Sequence, residues 1–248
     1  MPGGIRFAGG AQSRPGARRN VGGAVTVDLP GGVSARFTGR AEGDMGHGGA
    51  YVHEVAPHVA ARRRRVVDLP WTWLRQVGGD GVVRVGTPGG GSGSPADAAV
   101  TATPGCALAV LTADCAPVGV ASAEGVLGVA HAGWSGLRAG VLERTVDAMA
   151  DLGATVITAV VGPCIRSECY EFGIDDLERM AARVGPKVRA TDASGAPALD
   201  LAAGVRAVLS RAGVDDVDDQ GSCTACSPGW YSWRARAERQ RQATVVWR

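Results

Sequence analysis

Apolar positions along the chain keep two rhythms. Runs of five to eight β-branched and small apolar residues read as strands, and apolar residues recurring every three or four positions read as helices. Residues 25–29 and 33–38 predict two strands around the Pro30-Gly31-Gly32 turn. Residues 58–67 predict a helix with arginines on its wet face, and residues 71–77 and 82–85 predict strands around a glycine-rich turn. Residues 86–95, GTPGGGSGSP, hold no side chain able to anchor a core and read as a loop.

The centre of the chain is the most legible. Residues 107–112, 117–122 and 126–130 predict three strands, the last two joined by an Ala123-Glu124-Gly125 turn. Their near-continuous apolar character predicts burial on both faces. One helix is expected over 135–152, because Leu137, Val141, Thr145, Met149 and Leu152 fall on one stripe and Gly153 stands where a helix ends. A strand over 156–161, stopped by Gly162-Pro163, and a helix over 174–184 follow. Asp200 is placed to cap a helix carrying Leu201, Val205, Val208 and Leu209, closed by Gly213, and the chain ends on a strand over 243–247. Strands and helices mix without strict βαβ alternation, which predicts an α+β fold with mixed sheets.

Composition narrows the class. The chain has 248 residues, 45% of them hydrophobic and 20% charged, enough for one large domain with a real core. A net charge of +2 gives no ground for a nucleic-acid partner, and the run Arg62 to Arg65 reads as a solvated helix face. No apolar stretch approaches the roughly 20 residues of a membrane helix, so no membrane partner is expected. Residues 1–22 are basic and glycine-rich without an apolar signal core. They are expected to form a flexible tail before one folded domain over 23–248. The cytoplasm is the expected compartment, where the six cysteines would be thiols or ligands.

Candidate chemistry concentrates at Cys115, which follows a buried strand in TADCAP, and at His131, which closes another in HAGWSG. Strand ends beside helix starts are where reactive side chains reach a cleft, and Ser135 is positioned to cap the next helix. Read alone, a buried small thiol and a hydrogen-bonded core histidine would explain both residues.

The run TADCAPVGV…GVAHAGWSGLRAGVLERTV resembles the signature of the laccase-domain, or YfiH-type, family, also called multicopper polyphenol oxidases. Phe37-Thr38-Gly39-Arg40, Leu74-Arg75-Gln76-Val77, Gly162-Pro163-Cys164-Ile165, Cys169-Tyr170-Glu171, Asp200-Leu201, Cys223-Thr224, Ser232 with Arg234, and Arg241-Gln242 match in family order, over roughly residues 25–248. The resemblance implies a four-layer α/β/β/α arrangement of mixed sheets between helices. It also implies purine nucleoside phosphorylase activity with adenosine deamination, on purine nucleosides and phosphate, in a chain expected to act as a monomer. The implied zinc site uses two histidines and a cysteine, two of which map to Cys115 and His131. The third histidine belongs to a QVHG motif, where this chain reads Gln76-Val77-Gly78-Gly79. Glycine has no ligand atom, so the site lacks one donor unless His47 or His53 substitutes for it. The motif matches make Arg40 and Arg234 candidates for phosphate, and Gln76 and Asp114 candidate substrate contacts. Copper, suggested by the family name, is not favoured, because four histidines are too few for a multicopper centre. Two rivals remain: a catalytically degenerate binding or regulatory protein, and a metal-free hydrolase with a Cys115-His131 pair. Cys223 and Cys226 have CxxC spacing, but without a second such pair that spacing is read as accidental.

Overall fold

Alternation along the central strands feeds two different interiors, and this sets the architecture. In this computed structural model residues 17–19, 24–46 and 55–248 are described. The first half of the chain contains β1 (Ala17–Arg19), β2 (Val25–Leu29), β3 (Val33–Phe37), α1 (Pro57–Val66), β4 (Trp71–Trp73), β5 (Val82–Arg84), β6 (Ala98–Thr101), β7 (Ala107–Thr112), β8 (Ala116–Ser122) and β9 (Leu127–Ala132). The second half contains α2 (Trp134–Ala139), α3 (Val141–Ala150), β10 (Ile157–Val161), α4 (Ile174–Val184), β11 (Arg189–Thr191), β12 (Pro197–Leu199), α5 (Leu201–Arg211), β13 (Val217–Asp219), α6 (Trp233–Arg236) and β14 (Gln242–Trp247).

Two six-stranded sheets result, ordered β1-β2-β3-β14-β7-β4 and β13-β10-β8-β9-β6-β5. Each mixes directions: β4 runs parallel to β7, β5 to β6 and β10 to β13, while the other pairs are antiparallel. On β7, Leu108 and Val110 join Phe37, Leu127, Val129 and Val160 in an apolar layer between the sheets. Ala107 and Ala109 point the other way and pack with Met45, Val66 and Val245 under α1. On β9, Ala130 and Ala132 leave the inter-sheet layer and pack with Leu137, Val141, Leu177, Met180 and Leu209 of the helices. The result is a single α+β domain layered helix, sheet, sheet, helix. Truncating a fully buried inter-sheet leucine such as Leu127 to alanine should cost about 2–5 kcal/mol.

Three expectations need correction. The helix expected over 135–152 is two helices, α2 and α3, broken at Gly140, whose φ of 107° is left-handed and open only to glycine at low cost. Ser135 does not cap: Gly133 occupies that position, and the Ser135 hydroxyl inside α2 donates to the Gly78 carbonyl at 2.9 Å. The strand expected over 71–77 ends at Trp73, because the chain turns away so that Gln76 can bond elsewhere. The Asp200 cap forms as expected, its carboxylate accepting from the Ala203 N–H at 2.8 Å. Among the described residues no helix is long and apolar enough to cross a membrane.

Candidate active site

Sheet register assembles the site. In the β8–β9 pair Ala116 faces Ala132, so Cys115, one residue earlier, falls opposite Gly133. His131 lies two positions from Gly133 and therefore on the same face of the strand. A Cβ built on Gly133 would stand 3.0 Å from the Cys115 sulfur and 3.7 Å from His131 Nε2, so thiol and imidazole share one small volume. On the far side of β9, Ala98 faces Ala130, which puts Asp97 beside His131. The His131 N–H donates to the Asp97 carbonyl at 2.7 Å, and His131 Nδ1 lies 2.8 Å from Asp97 Oδ1.

Asp97 is fully buried and heavily bonded. Its carboxylate accepts the N–H groups of Val77, Gly78 and Gly79 at 3.1, 3.0 and 2.9 Å. Burial alone would raise its pKa, but the bonds from His131, Gly79 and Gly78 hold it below the usual carboxylate value. Burial works against a charged His131; the Cys115 sulfur, with which the imidazole interacts, and the Asp97 carboxylate outweigh it and push His131 up to about 9. The arrangement is a thiol, an imidazole and a carboxylate in line, with the carboxylate fixing the imidazole's orientation.

Asp114 aims the cysteine. Its φ is 116°, unusual for a residue with a Cβ and worth about 1–3 kcal/mol of strain. Bonds hold it there: its carbonyl accepts from the Ile165 N–H at 2.8 Å, and its carboxylate from the Thr224 hydroxyl at 2.6 Å and the Arg234 N–H at 2.7 Å. Gln76 is also committed to the backbone, donating to the Leu111 carbonyl and accepting from the Leu111 N–H, both at 2.8 Å. The Asp114 and Gln76 side chains thus bond within the protein.

The two arginines have different surroundings. Arg40 is ion-paired with Glu238 and lies 4.7 Å from the Tyr231 ring centroid. Glu238 in turn accepts the Ser232 N–H at 2.8 Å, which ties Arg40 to the start of α6. Arg234, on α6, is exposed, stacks 5.0 Å from the Tyr170 ring and donates to the Glu171 carbonyl at 3.2 Å. Tyr170 lies within the field of the site: burial, then the Cys115 and Asp114 charges, push its hydroxyl up to about 12. Its ring stands edge-on to Phe172 at 5.6 Å, and Phe172 edge-on to Trp134 at 5.8 Å, linking it to the start of α2.

Sequence reasoning missed Asp97 and Tyr170 as parts of the site. No local pattern marks Asp97, because the short strand it precedes does not stand out in the sequence. Tyr170 carried only its motif match.

A three-ligand zinc centre does not fit the described residues around Cys115 and His131. Position 78 has no side chain, and the Asp97 carboxylate is taken by His131 and three N–H groups. That leaves Cys115 and His131, one donor short of the usual protein complement. His47 and His53, the possible substitutes, lie outside the described residues.

Comparison with known proteins places this architecture in a class. The profile of the family described as multi-copper polyphenol oxidoreductase laccase matches residues 26–248, and the chain belongs to that family. A purine nucleoside phosphorylase of Streptomyces coelicolor is 39% identical over 243 residues, covering 96% of this chain and 91% of the relative. One of Mycobacterium tuberculosis is 38% identical over 232 residues, covering 90% of each. Among solved structures, a Neisseria meningitidis protein superposes with a TM-score of 0.76 at 30% identity, covering 90% of this chain and 98% of its own. The Bacillus licheniformis hypothetical protein YfiH superposes with a TM-score of 0.77 at 25% identity, covering 93% and 98%.

Proposed function

We propose that this protein cleaves purine nucleosides by phosphorolysis, with Cys115 and His131 at the reacting centre. The observation that carries the reading is the Asp97–His131–Cys115 line at the end of β9, in a chain whose relatives are named purine nucleoside phosphorylases. In phosphorolysis a phosphate oxygen bonds to ribose C1′ while the C1′–N9 bond breaks and its electron pair leaves with the base. The leaving purine needs a proton. His131, bonded to Asp97 through Nδ1 and carrying a proton at neutral pH, can deliver one from Nε2 to the purine. The Cys115 sulfur shares the volume beside Gly133 with the His131 ring, which puts it at the edge of the same reacting centre. Arg234 is the better candidate for phosphate, because its guanidinium is exposed and holds one backbone bond, whereas Arg40 is neutralised by Glu238. Trp233 and Val77 are both more than half exposed, and the Trp233 N–H donates to the Ala113 carbonyl at 3.5 Å, which makes them candidates for apolar contact with the base.

Adenosine deamination is the weaker activity in this reading. It needs an activated water, which a metal supplies by lowering the water's pKa, and the donor set here is one short. The test is direct: purified protein is given inosine or adenosine with and without phosphate, and free base and inosine are quantified by chromatography. Phosphate-dependent base release, abolished in His131→Ala, is expected; release that ignores phosphate or survives His131→Ala would sink the proposal.

The Asp97 bond also favours a second reading, a metal-free thiol nucleophile of the hydrolase type. Under that reading Cys115 alkylation abolishes a hydrolysis that needs no phosphate and ignores chelators.

A further inference from the structure

The CxxC of Cys223 and Cys226, discounted on spacing, has partners in space. The 3-10 turn Ser167–Cys169 delivers Cys169 and Glu168 to it. The ligand atoms of Glu168, Cys169, Cys223 and Cys226 all lie within 4.8 Å of one another. The Cys169 and Cys226 sulfurs are 3.1 Å apart, and Cys226 lies 3.7 Å from Glu168 Oε1. A tetrahedral zinc with Zn–S bonds of about 2.3 Å holds its sulfurs roughly 3.8 Å apart, so small side-chain rotations complete the shell. A disulfide would require the sulfurs to close to about 2.05 Å.

The scaffold around these donors is fixed from the backbone outward. Cys223 is buried and bridges in parallel to Cys164, with the Cys164 N–H donating to the Ser222 carbonyl and the Thr224 N–H to the Cys164 carbonyl. Arg236 donates to the Thr224, Ala225 and Trp230 carbonyls at 3.1, 2.8 and 2.6 Å, which holds the loop and places a positive charge beside it.

We infer that Glu168, Cys169, Cys223 and Cys226 form a second metal site, separate from Cys115 and His131, that takes zinc as a structural ion. Three sulfurs and one carboxylate give the four-coordinate, closed set of structural zinc. Binding releases the three thiol protons to solvent as the metal–sulfur bonds form. The ion staples two walls of the active site. One is the turn leading into Tyr170, whose ring lies under Arg234. The other is the loop whose Thr224 holds Asp114 next to Cys115.

The experiment uses the full chain, purified under reducing conditions and stripped of metal. In a Cys115→Ala/His131→Ala background the active-site donors are gone, so failure of the functional reading leaves this measurement intact. Titration should give one zinc per chain, and cobalt should show thiolate-to-metal charge-transfer absorption. Adding Cys226→Ser should weaken zinc at least about 100-fold. In the unmodified chain, zinc should protect Cys169 and Cys226 from alkylation, read by peptide mass spectrometry, which keeps the test valid should the double variant fail to fold. No zinc in that background, binding indifferent to Cys226→Ser, or thiols alkylated equally with and without zinc each overturns the inference. So does a Cys169–Cys226 disulfide that forms in air while the reduced protein ignores zinc.

Discussion

Two clusters of potential ligands lie on either side of Asp114 in its bonding network, and they are opposites. Cys115 and His131 sit at the ends of buried strands, carry the family signature and are one donor short. Glu168, Cys169, Cys223 and Cys226 sit on a turn and a loop, three of the four not buried, and offer a complete set of four donors. A linear motif therefore reports where chemistry is positioned without guaranteeing its ligands. A ligand set can equally be complete without any spacing that announces it. The first cluster is held by strand register and by the Asp97 carboxylate; the second is held by a β-bridge at Cys223 and by Arg236, and its donors come from two segments far apart in sequence, which is where a structural ion adds a link.

The contrast breaks first at Asp97. Replacing it with alanine leaves three N–H groups and a charged imidazole without their acceptor, and a loss of about 3–5 kcal/mol is expected by chemical denaturation. A variant of ordinary stability would show that the site is not pinned as described. The milder Asp97→Asn keeps the shape and lowers the His131 pKa, because one raising influence is removed. His131 titrates near 9 in the fold and near 6.5 when unfolded, so its protonated form adds stability fully below about 6.5. That stability is lost as pH rises through about 9. NMR titration of metal-free reduced protein should place the midpoint lower in Asp97→Asn, and an unmoved midpoint would remove Asp97 from the account.

Asp114, which joins the two regions, comes next. Asp114→Ala loses the bonds to Thr224 and Arg234 and keeps the left-handed backbone, for an expected cost of about 2–3 kcal/mol. Asp114→Gly loses the same bonds but relieves the strain, so it should be more stable than the alanine variant by about 1 kcal/mol. Equal stabilities would mean that the backbone at 114 is not strained.

These two acids also mark the limit of what the sequence discloses. β7 and α4 have the boundaries that apolar runs and helical spacing predict, and the β8–β9 hairpin follows from its turn, because those patterns depend on neighbours in sequence. Cys115 and His131 stand out only through the family signature, since read alone a buried thiol and a core histidine explain them. β6 was missed, since Ala98-Ala99-Val100-Thr101 is too short and too poor in β-branched residues to register as a strand. With β6 went Asp97, which matters only through pairing with β9. The break at Gly140 was hidden under a helical stripe that continues across it. The thiol cluster joins positions 57 residues apart, and no local period encodes such a meeting.

Gly78→His tests the comparison at its smallest expected cost and makes the incomplete site resemble the complete one. Gly78 has a φ of 71°, so a histidine there carries about 1–2 kcal/mol of backbone strain. Space is not the obstacle: an added Cβ would meet only Ser135 Cβ and Oγ at 3.6 Å, ordinary van der Waals contact. The Gly78 N–H still donates to the Asp97 carboxylate that orients His131, so a new imidazole would enter beside the existing pair. Zinc affinity should rise by at least an order of magnitude, measured in a Cys226→Ser background so that the loop cluster does not contribute. A gain in zinc with a gain in deamination, while phosphorolysis changes little, would tie the missing donor to water activation alone. If zinc does not bind more tightly, position 78 is not the missing ligand's place, and Cys115 and His131 work as a thiol–imidazole pair in their own right.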